Sequence, residues 1–310
     1  MTLTLPFKQR LRLWFDTAAI RSPAQPVSDR LQWLRVLPFV LLHVACAAVL
    51  WVGVSRVALV VAAVSYAVRM FAITAFYHRY FAHRSFKTSR AAQFIFAVLG
   101  ASAVQRGPLW WAAHHRHHHA HADEQDDLHS PVRHGFWRAH VGWFLTDRGF
   151  TPDSNRVRDL ARYRELRWLD RFDIAVPVAL AATMFLLGMV LERVAPQSGT
   201  SGWQMLVWGF FISTVVCYHV TYSINSVCHG LGRRRFATDD DSRNNWWLAL
   251  LTFGEGWHNN HHHYPGSTRQ GFYWWEIDLT YYVLKTLSWL GVVWALKPVP
   301  ADVLERERVR

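Results

Sequence analysis

The sequence predicts an all-α membrane protein: four transmembrane helices in two hairpins, with a cytosolic helical cap that carries clusters of histidine. Three observations lead there. Hydrophobic residues make up 51% of the 310, with 17 tryptophans among them, more apolar and aromatic surface than a soluble domain of this size ordinarily holds. Four stretches, 37–54, 57–77, 174–191 and 203–224, are apolar over, or nearly over, the roughly 17 to 25 residues a helix needs to cross a bilayer. The histidine clusters lie outside those stretches.

Residues 1–36 form an expected cytosolic segment, basic but without the continuous apolar core and small-residue cleavage site of a removed signal peptide. The first span then acts as the targeting signal. Residues 37–77 make the first hairpin, its two spans joined only by "SR". Residues 78–172 are polar and rich in Arg and Lys, and the apolar run within them, 91–104, is too short to cross and belongs at the interface or against the hairpins. Residues 173–224 make the second hairpin, linked by "ERVAPQSGTSG". In 225–310 the closing stretch "TYYVLKTLSWLGVVWALKPV" contains Lys285 and reads as an interfacial amphipathic helix. Basic residues before the first span, between the hairpins and at Arg233 to Arg235 place both termini and the central segment in the cytoplasm.

A formal charge of +12 raises the question of nucleic acid. The cations are spread between apolar runs, which fits a membrane surface and anionic partners instead. Cys46, Cys217 and Cys228 lie in or beside apolar runs without C-x-x-C spacing, so neither a disulfide framework nor a thiolate metal site is expected.

Imidazole is the commonest neutral metal ligand, and clusters of it at helical spacing can hold a redox metal without thiolates. In "HNNHH", His258, His261 and His262 stand at i, i+3 and i+4 and share one side of a helix. In "HHRHHHAHAD" two registers satisfy the same spacing, His114/His117/His118 and His115/His118/His119. The His-Arg pair of "HRYFAH", which holds His78 and His83, recurs at His115-Arg116 and favours the second register. His43 and His219, inside spans, read as helix-contact residues; His121, His129, His134, His140 and His263 read as supporting or surface residues.

Together "HRYFAH", "HRHHHAHAD", "NSVCH" and "GEGWHNNHH", with "HSPVRHGFWRAHVGW" between them, resemble the histidine boxes of the integral-membrane fatty acyl desaturases, in particular the stearoyl-CoA Δ9 branch. The likeness covers roughly residues 65 to 275, and four motifs in order and spacing leave little room for coincidence. It implies nine metal-binding histidines, His78, His83, His115, His118, His119, His229, His258, His261 and His262, with Asn225 reaching a metal through water. It also implies two iron ions, dioxygen as co-substrate, and a double bond placed in a saturated acyl chain. A membrane fatty acid hydroxylase is the rival reading, since it uses similar boxes. A metal transporter is disfavoured, because its ligands belong within the spans.

Among nearby carboxylates, Glu255 is expected to orient an imidazole, whereas Asp123, Glu124 and Asp126 of the "DEQDD" run are expected in solvent. Counting turns back from His78 gives Tyr66 and Ala62 for the closed end of an acyl slot, with Tyr66 limiting chain length. Arg106, Arg116 and Arg148 are candidates for carrier phosphates. The acyl-CoA branch keeps basic residues near the second box and after "HVGW"; here Ala113 and His114 precede His115, and Asp147 stands beside Arg148. Acyl-lipid and acyl-carrier-protein substrates therefore stay open beside acyl-CoA. With no Cys cluster for an appended redox domain, electrons are expected from a separate ferredoxin or cytochrome b5.

Overall fold

The computed structural model describes residues 7–18, 29–305 and 308; the remaining parts of the expected N-terminal cytosolic segment and of the C-terminus lie outside the described residues. The chain is mostly helical. Among the described residues, four helices are long and apolar enough to cross a membrane: α1 (Trp33–Val52), α2 (Arg56–Ala82), α3 (Ala175–Val194) and α4 (Gly202–Val227). They fall where the apolar runs place them, with one difference. The second does not stop at Tyr77 but carries on through His78 to Ala82.

Burial separates these four into two kinds. Only 6% of the apolar window of α1 and 11% of that of α3 is buried within the protein, against 39% for α2 and 50% for α4. Leu50 and Trp51 at the end of α1 are each 80% exposed. Helices this apolar on their outer faces are stable in lipid and not in water. The two inner helices are joined by polar contacts: Ser65 Oγ donates to the Gly209 carbonyl at 2.9 Å, and the buried guanidinium of Arg69 bonds Ser213 and Thr214. In a bilayer such groups find partners on a neighbouring helix or not at all. On the outer side, α3 meets the start of α4 so closely that a Cβ at Gly188 would stand 2.5 Å from the Ser201 carbonyl oxygen.

The last stretch of α2, Ala72–Ala82, is wound as a π-helix and is buried throughout. Its backbone closes i to i+5, so residues five apart come nearly one above the other. The fourth span contains a second such stretch, Val207–Ile212.

The remaining helices pack around the end of α2. Arg90–Ala101 starts at a Ser89 cap and lays Phe96 against Phe76, ring centroids 3.7 Å apart and nearly parallel. Pro108–His121 carries the second histidine cluster, and its open end is closed by Asp170, whose Oδ1 accepts the Leu109 and Trp110 N–H groups. His258–His263 carries the third cluster. The closing helix, Leu279–Trp289, has 11 residues, too few to span. Beyond it Val293–Trp294 pairs antiparallel with Lys87–Thr88 and ties the C-terminal stretch to the loop after α2.

Candidate metal centre

The π-wound end of α2 brings His78 and His83 to one side, with the His83 N–H bonded to the His78 carbonyl at 3.2 Å. Around them gather His115 and His119 from Pro108–His121 and His261 from His258–His263. One ring nitrogen of each of these five lies within 4.8 Å of the others. A second group of four, His118, His229, His258 and His262, meets the same condition. All nine histidines named from the sequence thus fall into two cages. His114 and His117 stay outside both cages, so the register that begins at His115 is the one the fold uses.

The one-sided reading of each HxxHH needs correction. His115 and His119, four apart, enter the first cage, while His118 turns to the second; His258 and His262 enter the second, while His261 turns to the first. A helix places residues four apart in line and rotates the intervening one by about 100° per position. The same two helices can therefore wall two adjacent cages.

Carboxylates stand behind the rings. His118 Nδ1 is 2.9 Å from Asp127, His229 Nδ1 2.7 Å from Asp123, His262 Nδ1 2.6 Å from Asp240, and His78 Nδ1 contacts Glu255. A ring that gives its Nδ1–H to a carboxylate presents the Nε2 lone pair forward, as a metal ligand must. Glu255 is itself held by Arg79. The "DEQDD" run does not lie in solvent as a whole: Asp123 and Asp127 are buried, and only Glu124 and Asp126 keep the expected exposure. Asp240 lies in a stretch the motif did not cover.

The charges follow this arrangement. Burial alone would raise the Asp127 carboxyl, but His118 and His129 more than reverse it and hold it below the ordinary range. Burial first, and then the neighbouring imidazoles, push His83, His115, His119, His258 and His261 well down, so these rings are neutral at pH 7. In the second cage the Nε2 atoms of His118 and His262 are buried without a hydrogen-bond partner among the described residues. In the first, the Nε2 atoms of His78 and His83 stand 3.1 Å apart, and those of His83 and His115 2.8 Å apart. Imidazole nitrogens this close share a proton or turn their lone pairs to a common cation. Nine imidazoles, four of them backed by carboxylates, fit such ions.

Beside the cages lies a cavity whose wall includes His78, His115, His258 and Asn225 together with apolar residues such as Phe39, Leu42, Phe144 and Pro177. Other residues named from the sequence lie elsewhere. Tyr66 and Ala62 do not line this cavity; the Tyr66 hydroxyl donates to the Leu251 carbonyl at 2.6 Å. Arg116 is occupied by the Phe81, Ala82 and Arg156 carbonyls and by Asp159, which satisfies the open carbonyl end of α2. Arg148 pairs with Asp126. Arg106 does line the cavity and pairs with Asp173 at 3.3 Å. His43 and His219 bond each other at 3.1 Å, and His219 also bonds His140, a helix-to-helix contact as expected. His129, buried, packs on His118 with ring centroids 4.3 Å apart. His263 stacks on Phe236.

Four membrane-length helices, with two histidine cages opening beside an apolar cavity, define a class of polytopic proteins able to hold a pair of metal ions next to a hydrocarbon ligand. The chain belongs to the fatty acid desaturase family, whose model matches residues 55–293. It is 33% identical over 241 residues to the acyl-CoA C20 Delta5-desaturase of Anemone leveillei, covering 77% of this chain and 72% of that one. It is 35% identical to the sn-1 stearoyl-lipid 9-desaturase of Anabaena variabilis over 88% of this chain and 97% of the other. It is also 35% identical to the protein of that description from Synechocystis, over 96% and 90%. The resemblance read from the motifs is therefore correct at the level of the family, and these relatives work on acyl-CoA in one case and acyl-lipid in the others.

Proposed function

We infer that this protein introduces a cis double bond, at the Δ9 position, into a saturated acyl chain, with acyl-CoA as the first carrier to test and acyl-lipid as the second. The observation that carries this reading is the sharing of one cavity wall by ligands of both cages, His78, His115 and His258, and by apolar side chains suited to a hydrocarbon.

His78, His83, His115, His119 and His261 would hold one iron, and His118, His229, His258 and His262 the other, with Asn225 contributing through water. The irons supply the one thing side chains lack, the power to use dioxygen against an unactivated methylene C–H bond. Everything else falls to the protein. Asp123, Asp127, Asp240 and Glu255 fix the tautomers of the rings they touch. The apolar wall positions the chain and excludes water. Two electrons per turnover come from a separate acidic donor of the ferredoxin or cytochrome b5 type, drawn to a basic face. The four spans act as two hairpins, with a helical cap and both termini on the cytoplasmic side. The charge distribution along the sequence supports that orientation.

The test is expression in a host whose fatty acids are then resolved by gas chromatography with mass spectrometry. A new monounsaturated acid that vanishes in His118→Ala and His119→Ala supports the reading. A hydroxylated acid would assign the protein to the hydroxylases, and an unchanged profile with an active donor present would overturn it.

A further inference from the structure

Two neighbouring aromatic nitrogens in the cavity wall, outside the cages, have no partner among the described residues. Trp143 Nε1 and His114 Nε2 are both buried and without a hydrogen-bond partner, and both residues line the cavity and are 7% exposed. Their rings stand edge to face, centroids 5.3 Å apart. Leaving a buried polar atom unpaired is costly, so a pair side by side in an apolar wall points to a ligand that completes them. The two differ in sense. An indole N–H only donates. A neutral imidazole accepts at one nitrogen, and with Nδ1 protonated the unpartnered Nε2 of His114 keeps a lone pair that accepts. Two more unpartnered nitrogens, Arg106 Nε and Nδ1 of the cage residue His258, belong to other residues of the same cavity.

We propose that Trp143 and His114 grip the linkage between the acyl chain and its carrier: Trp143 Nε1–H donates to the ester or thioester carbonyl, and His114 Nε2 accepts from an N–H or O–H a few bonds further on. Resting on the acyl-substrate reading above, this sets a requirement that carriers meet unequally. A pantetheine thioester offers the cysteamine amide N–H, and a monoacyl glycerolipid offers a free hydroxyl. A diacyl glycerolipid has a carbonyl but no donor beside it. Arg106 belongs to the same wall, and both eligible carriers contain a phosphate. The anchor is also near the second cage. Trp143 packs on His129 at 4.9 Å and His129 on His118 at 4.3 Å, so holding the carbonyl there fixes which methylenes reach the metals.

The experiment measures binding to the purified full-length protein in detergent, by equilibrium dialysis, of two ligand pairs. Stearoyl-CoA is compared with its octadecyl thioether, and stearoyl lysophosphatidylglycerol with its alkyl ether, so each pair differs only by the carbonyl oxygen. The expected result is a preference of about tenfold for the carbonyl member of at least one pair, lost in Trp143→Phe; the pair that shows it names the carrier. His114→Phe should weaken both members of that pair alike. Equal binding within each pair by the unaltered protein would overturn the anchor and leave the two nitrogens to a trapped water, a result that needs no variant to fold. A preference that survives Trp143→Phe overturns it too. If no acyl ligand binds the unaltered protein, it is the acyl-substrate reading that fails. In product analysis, loss of the anchor should spread the double bond over neighbouring positions.

Discussion

His118 and His119 are adjacent in the chain, yet their ring centroids stand 5.6 Å apart and face different cages, His118 with His229, His258 and His262, His119 with His78, His83, His115 and His261. His261 and His262 repeat the arrangement at 5.7 Å. One dipeptide on each of two helices thus makes the partition between two sites.

Single alanines at those neighbours should separate the cages. His118→Ala leaves three imidazoles in the second cage and all five in the first; His119→Ala leaves four in each. Metal per protein, measured by inductively coupled plasma mass spectrometry after dialysis, should fall from about two toward one in His118→Ala, with a smaller loss in His119→Ala. Equal loss of both ions in His118→Ala would mean that the cages bind as one unit.

Asp127→Asn tests the carboxylate behind the ring without touching a ligand. An amide at this position accepts the His118 Nδ1–H more weakly and carries no charge. Affinity at the second cage should drop by about 10- to 100-fold, read by competition with a chelator, while the first cage is unchanged. Asp126→Asn, at an exposed residue whose carboxylate pairs with Arg148, should have no such effect.

The spans and the histidines were readable because their signals are local: a run of apolar residues, or imidazoles a fixed number of places apart. What remained hidden depends on distant residues or on unusual backbone. His229 finds Asp123 across 106 positions and His262 finds Asp240 across 22, pairings that no spacing rule contains. The five-residue interval of His78 and His83 looks too loose for an α-helix and makes sense only once the end of α2 is π-wound. Tyr66 was placed by counting ideal turns through that same π stretch, and its ring ends at Leu251 and Phe253 instead.

Tyr66→Phe should therefore remove one hydrogen bond, about 1 kcal/mol, and leave the product chain-length profile as it was. Thermal unfolding in detergent and gas chromatography of the products read the two parts separately. A shift toward longer products would return Tyr66 to the cavity.

Arg79 is 1% exposed and sits between Glu255 and Asp278, 3.0 Å from each. It also bonds the Thr268 carbonyl. Beside it, Gly254 adopts φ +125, where a Cβ would come within 2.5 Å of Asp278 Oδ1. Arg79→Met would leave two buried carboxylates without their cation. Breaking a buried pair in this way costs about 3–5 kcal/mol, and the melting temperature should drop steeply. Restoring Tm by adding Glu255→Gln would identify uncompensated charge, and not lost packing, as the cause.

The last expectation concerns pH and the helix Pro108–His121. Asp170 is half-buried and its Oδ1 accepts the Leu109 N–H at 3.0 Å and the Trp110 N–H at 2.7 Å. Burial pushes its carboxyl up from 3.8 to about 6, helped by Asp173 and opposed by those N–H groups and by Arg106. A raised carboxyl pKa means the folded protein keeps a proton that the unfolded chain releases near 3.8. Its contribution is thus most favourable below about pH 4, declines as the pH rises to about 6, and is level above that. Asp170→Asn keeps the accepting oxygen but cannot titrate. The difference in Tm, unaltered protein minus variant, should fall across that window and then stay constant, and a difference that rises with pH there would mean that the helix-end N–H groups outweigh burial and hold the carboxylate ionised.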